Sequence, residues 1–347
     1  MSCTVSVRGR VTGSLAVLAV LVVSASTVFG REFIPTSNSA QPSSSAFVPK
    51  LGSGIPLPLA TVLEGFAQTG VRDYQIGDEW GKKLVDPSTL SQRDSIFVSA
   101  VQATAFFNSA TAFYVGRFSG THVMATNHHV LGSQSECEGR TVHFTLRKTK
   151  YRCDEMIGSW AEIDLALFTL KQSNSADADL KSFAGRFDFS GALDEDTPLL
   201  TAGYGIAGNS NRQMMVNENN DCRVVSGLNE FRFMADPDRY NPADYRAWSF
   251  ATGCSVSHGD SGSAIVNRKS GAIVGLIWTG AIPKEAKIQS SQFIRDLQNR
   301  DDEEIWSLLT YAVPALKIKD RLNDALNSGE LAVRHYPIVQ ELLVGQR

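Results

Sequence analysis

A serine set between glycines is the clearest candidate nucleophile in the chain. It lies in Gly259-Asp260-Ser261-Gly262-Ser263, a tight turn just ahead of the apolar run Ala264-Ile265-Val266. A serine attacking a carbonyl needs backbone N–H groups aimed at the developing oxyanion, and side chains in that loop would block the approach. Gly259 can also take backbone angles that residues with a Cβ avoid. Serine needs a base to remove its proton, and histidine serves near neutral pH. Of six histidines, the pair in Thr126-Asn127-His128-His129-Val130 follows a β-prone run and begins a loop. An imidazole base needs an orienting carboxylate. Ile163-Asp164-Leu165-Ala166-Leu167-Phe168 sets one acid in an apolar run, where burial is costly unless the group is paired or hydrogen-bonded. The alternatives are an ordinary glycine turn, surface or metal-binding histidines, and an Asp164 at the exposed end of a strand. With no acid at ligand spacing beside the histidines, no metal is expected.

The elements that must hold these groups read as short strands. β-Prone runs cover Ile96–Val98, Thr111–Val115, His122–Thr126, Thr141–Leu146, Ile163–Leu170 and Leu199–Tyr204, with Asn, Ser and Gly clusters between them. Ala264–Val266 and Ala272–Trp278 form an apolar hairpin across Asn267–Gly271, a rigid mount for the serine. Tyr311-Ala312-Val313 is one more strand, ended by Pro314. Leu316, Leu322, Ala325 and Leu326 then follow helical spacing over Ala315–Leu326, and a last helical piece interrupted by Pro337 runs from Glu330 to Val344. Many short strands imply a sandwich or barrel.

The chain has 347 residues, 43% of them hydrophobic, and a net charge of −3 that argues against nucleic acid as a partner. Arg8 and Arg10, the apolar Leu15–Val23 and the small Ser24-Ala25-Ser26 follow the order of a secretory signal peptide, placing the protein in the secreted or periplasmic space. The apolar run is too short to favour a membrane span. Residues 31–94 read as linker or propeptide: Ser, Pro and Gly dominate to about residue 60, a short helix is expected near 61–68, and no motif follows. Residues 282–305 are strongly charged and read as a surface insertion. Cys3 leaves with the signal, and Cys137, Cys153, Cys222 and Cys254 remain. An even count in an exported chain suggests two disulfides, with three possible connectivities. Cys137–Cys153 and Cys222–Cys254 are preferred, since each pair then lies in one folding unit; the spacing does not suit zinc.

Taken in order, the His, Asp and Ser stretches resemble the three signatures of chymotrypsin-like (trypsin-fold) serine proteases. Ala202-Gly203-Tyr204-Gly205 is similar to that family's turn at the start of its second barrel, and Gly275–Gly280 resembles the strand lining its substrate groove. The resemblance covers residues 95–325, in a style closer to bacterial members. It implies an all-β fold of two antiparallel six-stranded barrels, 95–190 and 191–314, with the site between them, an N-terminal extension and a C-terminal helical segment, 315–347.

The resemblance also implies roles. His129 is the general base, His128 is non-catalytic, Asp164 orients His129, and Ser261 attacks. The N–H groups of Gly259 and Ser261 form the oxyanion hole, and no cofactor is needed. Ser255 lies at the base of the specificity pocket, with Ile277 on its wall and Gly280 at its open entrance. A pocket without charge disfavours cleavage after Lys, Arg or Glu and suits small to medium uncharged residues of a protein or peptide substrate. Asp260, the acid before the serine, suggests two states: a zymogen in which it awaits a freed N-terminus, or a constitutive enzyme in which internal hydrogen bonds hold it. Two rival functions are an α/β-hydrolase esterase, disfavoured because Ser263 stands where GxSxG needs glycine, and a trypsin-fold binding protein without activity.

Overall fold

The computed structural model describes residues 71–345, apart from 172–179, 181–182, 184, 190, 238–244, 281, 283–285 and 300–307. The expected signal peptide, the linker as far as residue 70, the helix near 61–68 and the acidic run 301–304 lie outside the described residues. Among the described residues no helix is long and apolar enough to cross a membrane.

Strand β1 is Lys82–Leu84; β2 to β7 are Thr104–Phe107, Ala110–Phe118, Thr121–Thr126, Thr141–Phe144, Thr149–Trp160 and Leu165–Leu170. The last six close an antiparallel barrel in the order β2-β3-β4-β7-β6-β5, with Phe106 opposite His143 at the closure. Side chains of alternating direction explain why β3, β4 and β7 are buried almost throughout. Ala112, Tyr114, Met124, Ala166 and Phe168 belong to one apolar cluster. Their neighbours Phe113, Val115, Val123, Ala125 and Leu167 join the large core shared with the second sheet.

That sheet contains β8 (Leu199–Gly203), β9 (Met215–Asn217), β10 (Arg232–Ala235), β11 (Arg246–Thr252), β12 (Ala264–Asn267), β13 (Ile273–Gly280) and β14 (Thr310–Pro314). With β1 it has eight strands, in the order β1-β9-β8-β12-β13-β14-β11-β10, where six were expected. One addition comes from the segment read as linker or propeptide. Lys82 pairs with Asn217 and Leu84 with Met215, Tyr74 and Ile76 are buried, and Gly77 N–H donates to Ile288 O at 2.9 Å. Residues 71–94 are therefore part of the folded body.

The expected strand at Ile96–Val98 is instead helix α1 (Ser95–Ala103). Asp94 caps it, its carboxylate accepting from Phe97 N–H at 2.8 Å, and Phe97 and Val101 bury one face at i, i+4 spacing. Three β-prone residues carried less weight than a cap and a helical stripe. Short helices α2 (Gln134–Cys137) and α3 (Ser291–Leu297) follow, and α4 (Ala315–Ser328) starts straight after Pro314. Helix α4 buries Ile318, Leu322 and Ala325 and ends at Gly329 with φ 75°. Pro337 begins α5 (Tyr336–Val344) rather than interrupting it, because a first-turn proline forfeits no helical hydrogen bond.

The cysteines pair as Cys137–Cys153 and Cys222–Cys254, with Cα separations of 5.3 and 3.9 Å.

Candidate active site

Asp164 lies between a 3-10 turn, Ala161–Ile163, and the first residue of β7. Its φ of 36° and ψ of 47° are left-handed, a region that aspartate tolerates better than most residues. This kink turns the side chain off the strand, and the residue is fully buried. The backbone is pinned from the opposite loop, where Asn127 Nδ2 donates to Asp164 O at 2.9 Å. One carboxylate oxygen, Oδ2, takes His129 Nδ1 at 2.8 Å. The other, Oδ1, accepts from His129 N–H at 3.0 Å and from the Tyr245 hydroxyl at 2.5 Å. Three donors answer the cost of burial. A carboxylate can only accept, so Nδ1 of His129 carries the hydrogen and Nε2 of the neutral ring keeps the lone pair a base requires.

His128 points elsewhere. Its Nδ1 lies 2.8 Å from Ser159 Oγ, and Ser159 Oγ donates to Leu131 O at 2.8 Å. Its ring stacks on Tyr245 at 6.2 Å and 17°.

The serine loop joins β11 to β12. Gly259 and Gly262 have φ of 96° and 85°, which favour glycine. A Cβ on Gly262 would lie 2.0 Å from Thr111 O and 2.5 Å from Thr126 Oγ1. The loop is thus pressed against the barrel at the strands leading to His129. Thr111, at the start of β3, fastens it: Thr111 N–H donates to Ser261 O at 3.0 Å and Thr111 Oγ1 to Gly259 O at 2.8 Å. Asp260 N–H, Gly262 N–H and Ser263 N–H donate to Ser257 O, Ile277 O and Asp260 O. Those of Gly259 and Ser261 make no hydrogen bond among the described residues, which leaves two amide donors one residue apart. The Ser261 hydroxyl makes no hydrogen bond to His129 in this conformation; hydrogen bonds of this kind are often long without substrate.

Beneath the loop, Asp260 is fully enclosed. Its carboxylate forms an ion pair with Lys82 Nζ, both side chains being 1% exposed. It also accepts from Gly205 N–H at 3.0 Å and Ser257 N–H at 2.9 Å. The glycines of Gly203-Tyr204-Gly205 permit this approach, since a Cβ on Gly205 would lie 2.2 Å from Asp260 Oδ2. Arg212 spans the same corner, donating to Tyr204 O at 2.9 Å. Burial presses the pKa of its guanidinium down, opposed by the charge of Asp260.

All three residues expected to shape the pocket are buried. Ser255 Oγ accepts from Ile76 N–H at 3.1 Å, so the N-terminal segment uses it. Ile277 belongs to an apolar cluster with Phe250, Cys254 and Val256. Gly280 ends β13 opposite Thr310. Among the described residues no cluster of His, Cys, Asp or Glu is suited to a metal ion.

Sequence reasoning missed Tyr245 and Lys82. Neither sits in a motif: Tyr245 follows Asn241-Pro242-Ala243-Asp244, and Lys82 lies beside a second lysine. Their partners are 81 and 178 residues away, so only tertiary packing reveals them.

A closed barrel carrying a His–Asp pair, joined to an antiparallel sheet carrying a glycine-flanked serine, is the arrangement of a trypsin-fold protein. Residues 110–276 match the family model of the trypsin-like peptidase domain, a match that supports the resemblance to chymotrypsin-like serine proteases. Similar solved structures include the inactive form of the Rv3671c protease, at 14% identity and a TM-score of 0.43, covering 70% of this chain and 97% of that one. The active form of the same protease from M. tuberculosis matches at 15% identity and a TM-score of 0.43, covering 70% and 87%. No curated protein matches in sequence.

Proposed function

We propose that this protein is an exported serine endopeptidase that cleaves peptide bonds through an acyl-enzyme intermediate. Ser261 Oγ attacks the scissile carbonyl while His129 Nε2 takes its proton. The Gly259 and Ser261 N–H groups receive the oxyanion, and His129 returns the proton to the leaving amine. Asp164 holds the imidazole in the tautomer the first step requires and faces the imidazolium that follows. Water then repeats the sequence to release the acyl group. The observation that carries this reading is the paired contact of Asp164 with both the ring and the backbone N–H of His129, at 2.8 and 3.0 Å, within a trypsin-like peptidase domain.

Export fits the two disulfides, since such bonds persist in oxidising compartments. Ser255 and Ile277 carry no charge, which favours small to medium uncharged residues at the cleavage site. Covalent labelling of Ser261 by a fluorophosphonate probe, lost in Ser261→Ala together with casein digestion, is the expected result. An unlabelled wild-type protein that digests no casein would refute the assignment. A peptide-library digest cut mainly after Arg or Glu would refute the pocket alone.

A further inference from the structure

We infer that Tyr245 is a positioning residue of the candidate triad: its hydroxyl holds the Asp164 carboxylate and thereby sets the basicity of His129. The inference rests on the proposed protease reading for its meaning, and on geometry for its content. Tyr245 Oη donates to Asp164 Oδ1 at 2.5 Å, the oxygen that also accepts from His129 N–H. The donor comes from a different part of the fold. His129 and Asp164 flank barrel strands, whereas Tyr245 immediately precedes β11 of the second sheet.

The tyrosine is well held. Its ring lies between the stacked ring of His128 and that of Trp278, with centroids at 6.2 and 6.0 Å, and stands edge-on to His129 at 6.4 Å and 88°. The hydrogen bonds of Ser159 fix the His128 ring. The backbone is tied by Asp236 N–H to Tyr245 O at 3.0 Å, and Asp236 accepts from Thr279 Oγ1 of β13 at 2.6 Å. The hydroxyl is thus connected to the strand expected to line the substrate groove. His128 also gains a role in this arrangement, since it supports the ring that supports Asp164.

The physical consequence has a definite sign. A phenol donating to the carboxylate withdraws negative charge from the edge facing His129. Removing that donor concentrates charge on the His129 Nδ1 contact, favours the imidazolium and raises the pKa of His129. The other charged groups on the elements packed here have partners of their own. Glu162 and Glu330 pair with Arg321, Asp236 holds Thr279, and Arg246 lies over the Phe233 ring.

The test is the Tyr245→Phe variant of the full chain. Its His129 titration is followed by NMR of histidine-labelled protein, with the resonance assigned from His129→Gln. The expected result is a rise of roughly 0.5 unit or more in the His129 pKa. Alongside it, kcat falls about tenfold with KM kept, and the acid limb of kcat/KM moves to higher pH by the same amount. An unchanged titration in a folded variant overturns the inference. Should Tyr245→Phe melt early, monofluorotyrosine at position 245 decides: its more acidic hydroxyl lowers the His129 pKa, and no change again overturns the inference. The titration needs no turnover. A wild-type protein that neither labels nor cleaves would therefore sink the protease reading while leaving this measurement decisive for Tyr245.

Discussion

Lys82 and Asp260 form an ion pair in which each side chain is 1% exposed, and Asp260 is the residue next to Ser261. Of the two states expected for Asp260, a partner already in place fits the one held internally. That partner is a lysine from the segment read as removable. Removing one member of a buried pair leaves an uncompensated charge, at a cost of about 3–5 kcal/mol. Lys82→Met is therefore expected to lose stability of that order in urea unfolding, and to lose most proteolysis because the serine loop loses its floor. The double variant Lys82→Met/Asp260→Asn should recover part of the stability, since it leaves no unpaired charge. A Lys82→Met protein as stable and active as wild type would show that the pair has no such role.

The His129–Asp164 contact predicts a rate effect separate from folding. Asp164→Asn keeps the shape but presents an amide that can hold His129 in the wrong tautomer. In related triads this change lowers kcat on the order of 10⁴-fold, and a loss of that size is expected here with little change in thermal midpoint. A loss under tenfold would argue that the imidazole is oriented by something else.

Gly262 gives a steric prediction. A side chain there has to accept a φ of 85° and a backbone oxygen 2.0 Å away. Gly262→Ala should part the serine loop from Thr111 and abolish both fluorophosphonate labelling and casein digestion. Retained labelling would mean that the loop moves aside at little cost.

Particular residues show what could be read before any coordinates. His129, Asp164 and Ser261 stand out as candidates because each lies in a short local pattern whose chemistry demands its neighbours: a loop after a strand, an acid among apolar residues, a serine in a glycine-rich turn. The cysteine pairs were legible because each closes within one folding unit. Ile96–Val98 reads as a strand but lies within helix α1, because the Asp94 cap and the Phe97/Val101 stripe outweigh the β-propensity of three residues. Lys82 stands beside a second lysine with nothing in the local sequence to set it apart, and its burial depends on β1 pairing with β9. Tyr245 carries no local signal at all; its hydroxyl matters only because the sheet brings it to a carboxylate 81 residues away in sequence.

Cys222–Cys254 anchors the start of the stretch that carries the serine, closing a span of 32 residues. In the chain-entropy model a loop of that size stabilises by about 3–4 kcal/mol. Cys222→Ser/Cys254→Ser should lower the unfolding free energy by that order and also reduce kcat. Cys137→Ser/Cys153→Ser, in the barrel and away from the serine, should cost similar stability but leave kcat nearly intact. Equal effects of the two pairs on kcat would contradict the idea that only the second one braces the loop.

The C-terminal segment should loosen in acid. Two glutamates fasten it to the barrel. Glu155 of β6 bonds Arg334 and lies 3.2 Å from His335 Nε2. Glu341 of α5 accepts from the backbone N–H of Ser119 and from Ser119 Oγ at 2.7 Å. The Arg334 hydrogen bond holds the Glu155 carboxyl below the usual glutamate range, and the Ser119 N–H does the same for Glu341. A carboxyl whose folded pKa is depressed contributes stability that is fully present above its unfolded value and is lost as pH falls through the folded one. Both groups face solvent, so each contribution is small, but they act on the same helix. Amide exchange in α5, compared with that of β3 and corrected for intrinsic rates, should therefore accelerate below about pH 4.5, the ordinary glutamate value. The variant Glu155→Gln/Glu341→Gln should show the faster exchange already at pH 7 and lose the acid dependence. Protection of α5 that stays flat from pH 7 to pH 3 in the wild type would mean that its buried Ile338, Val339 and Leu342 hold it unaided.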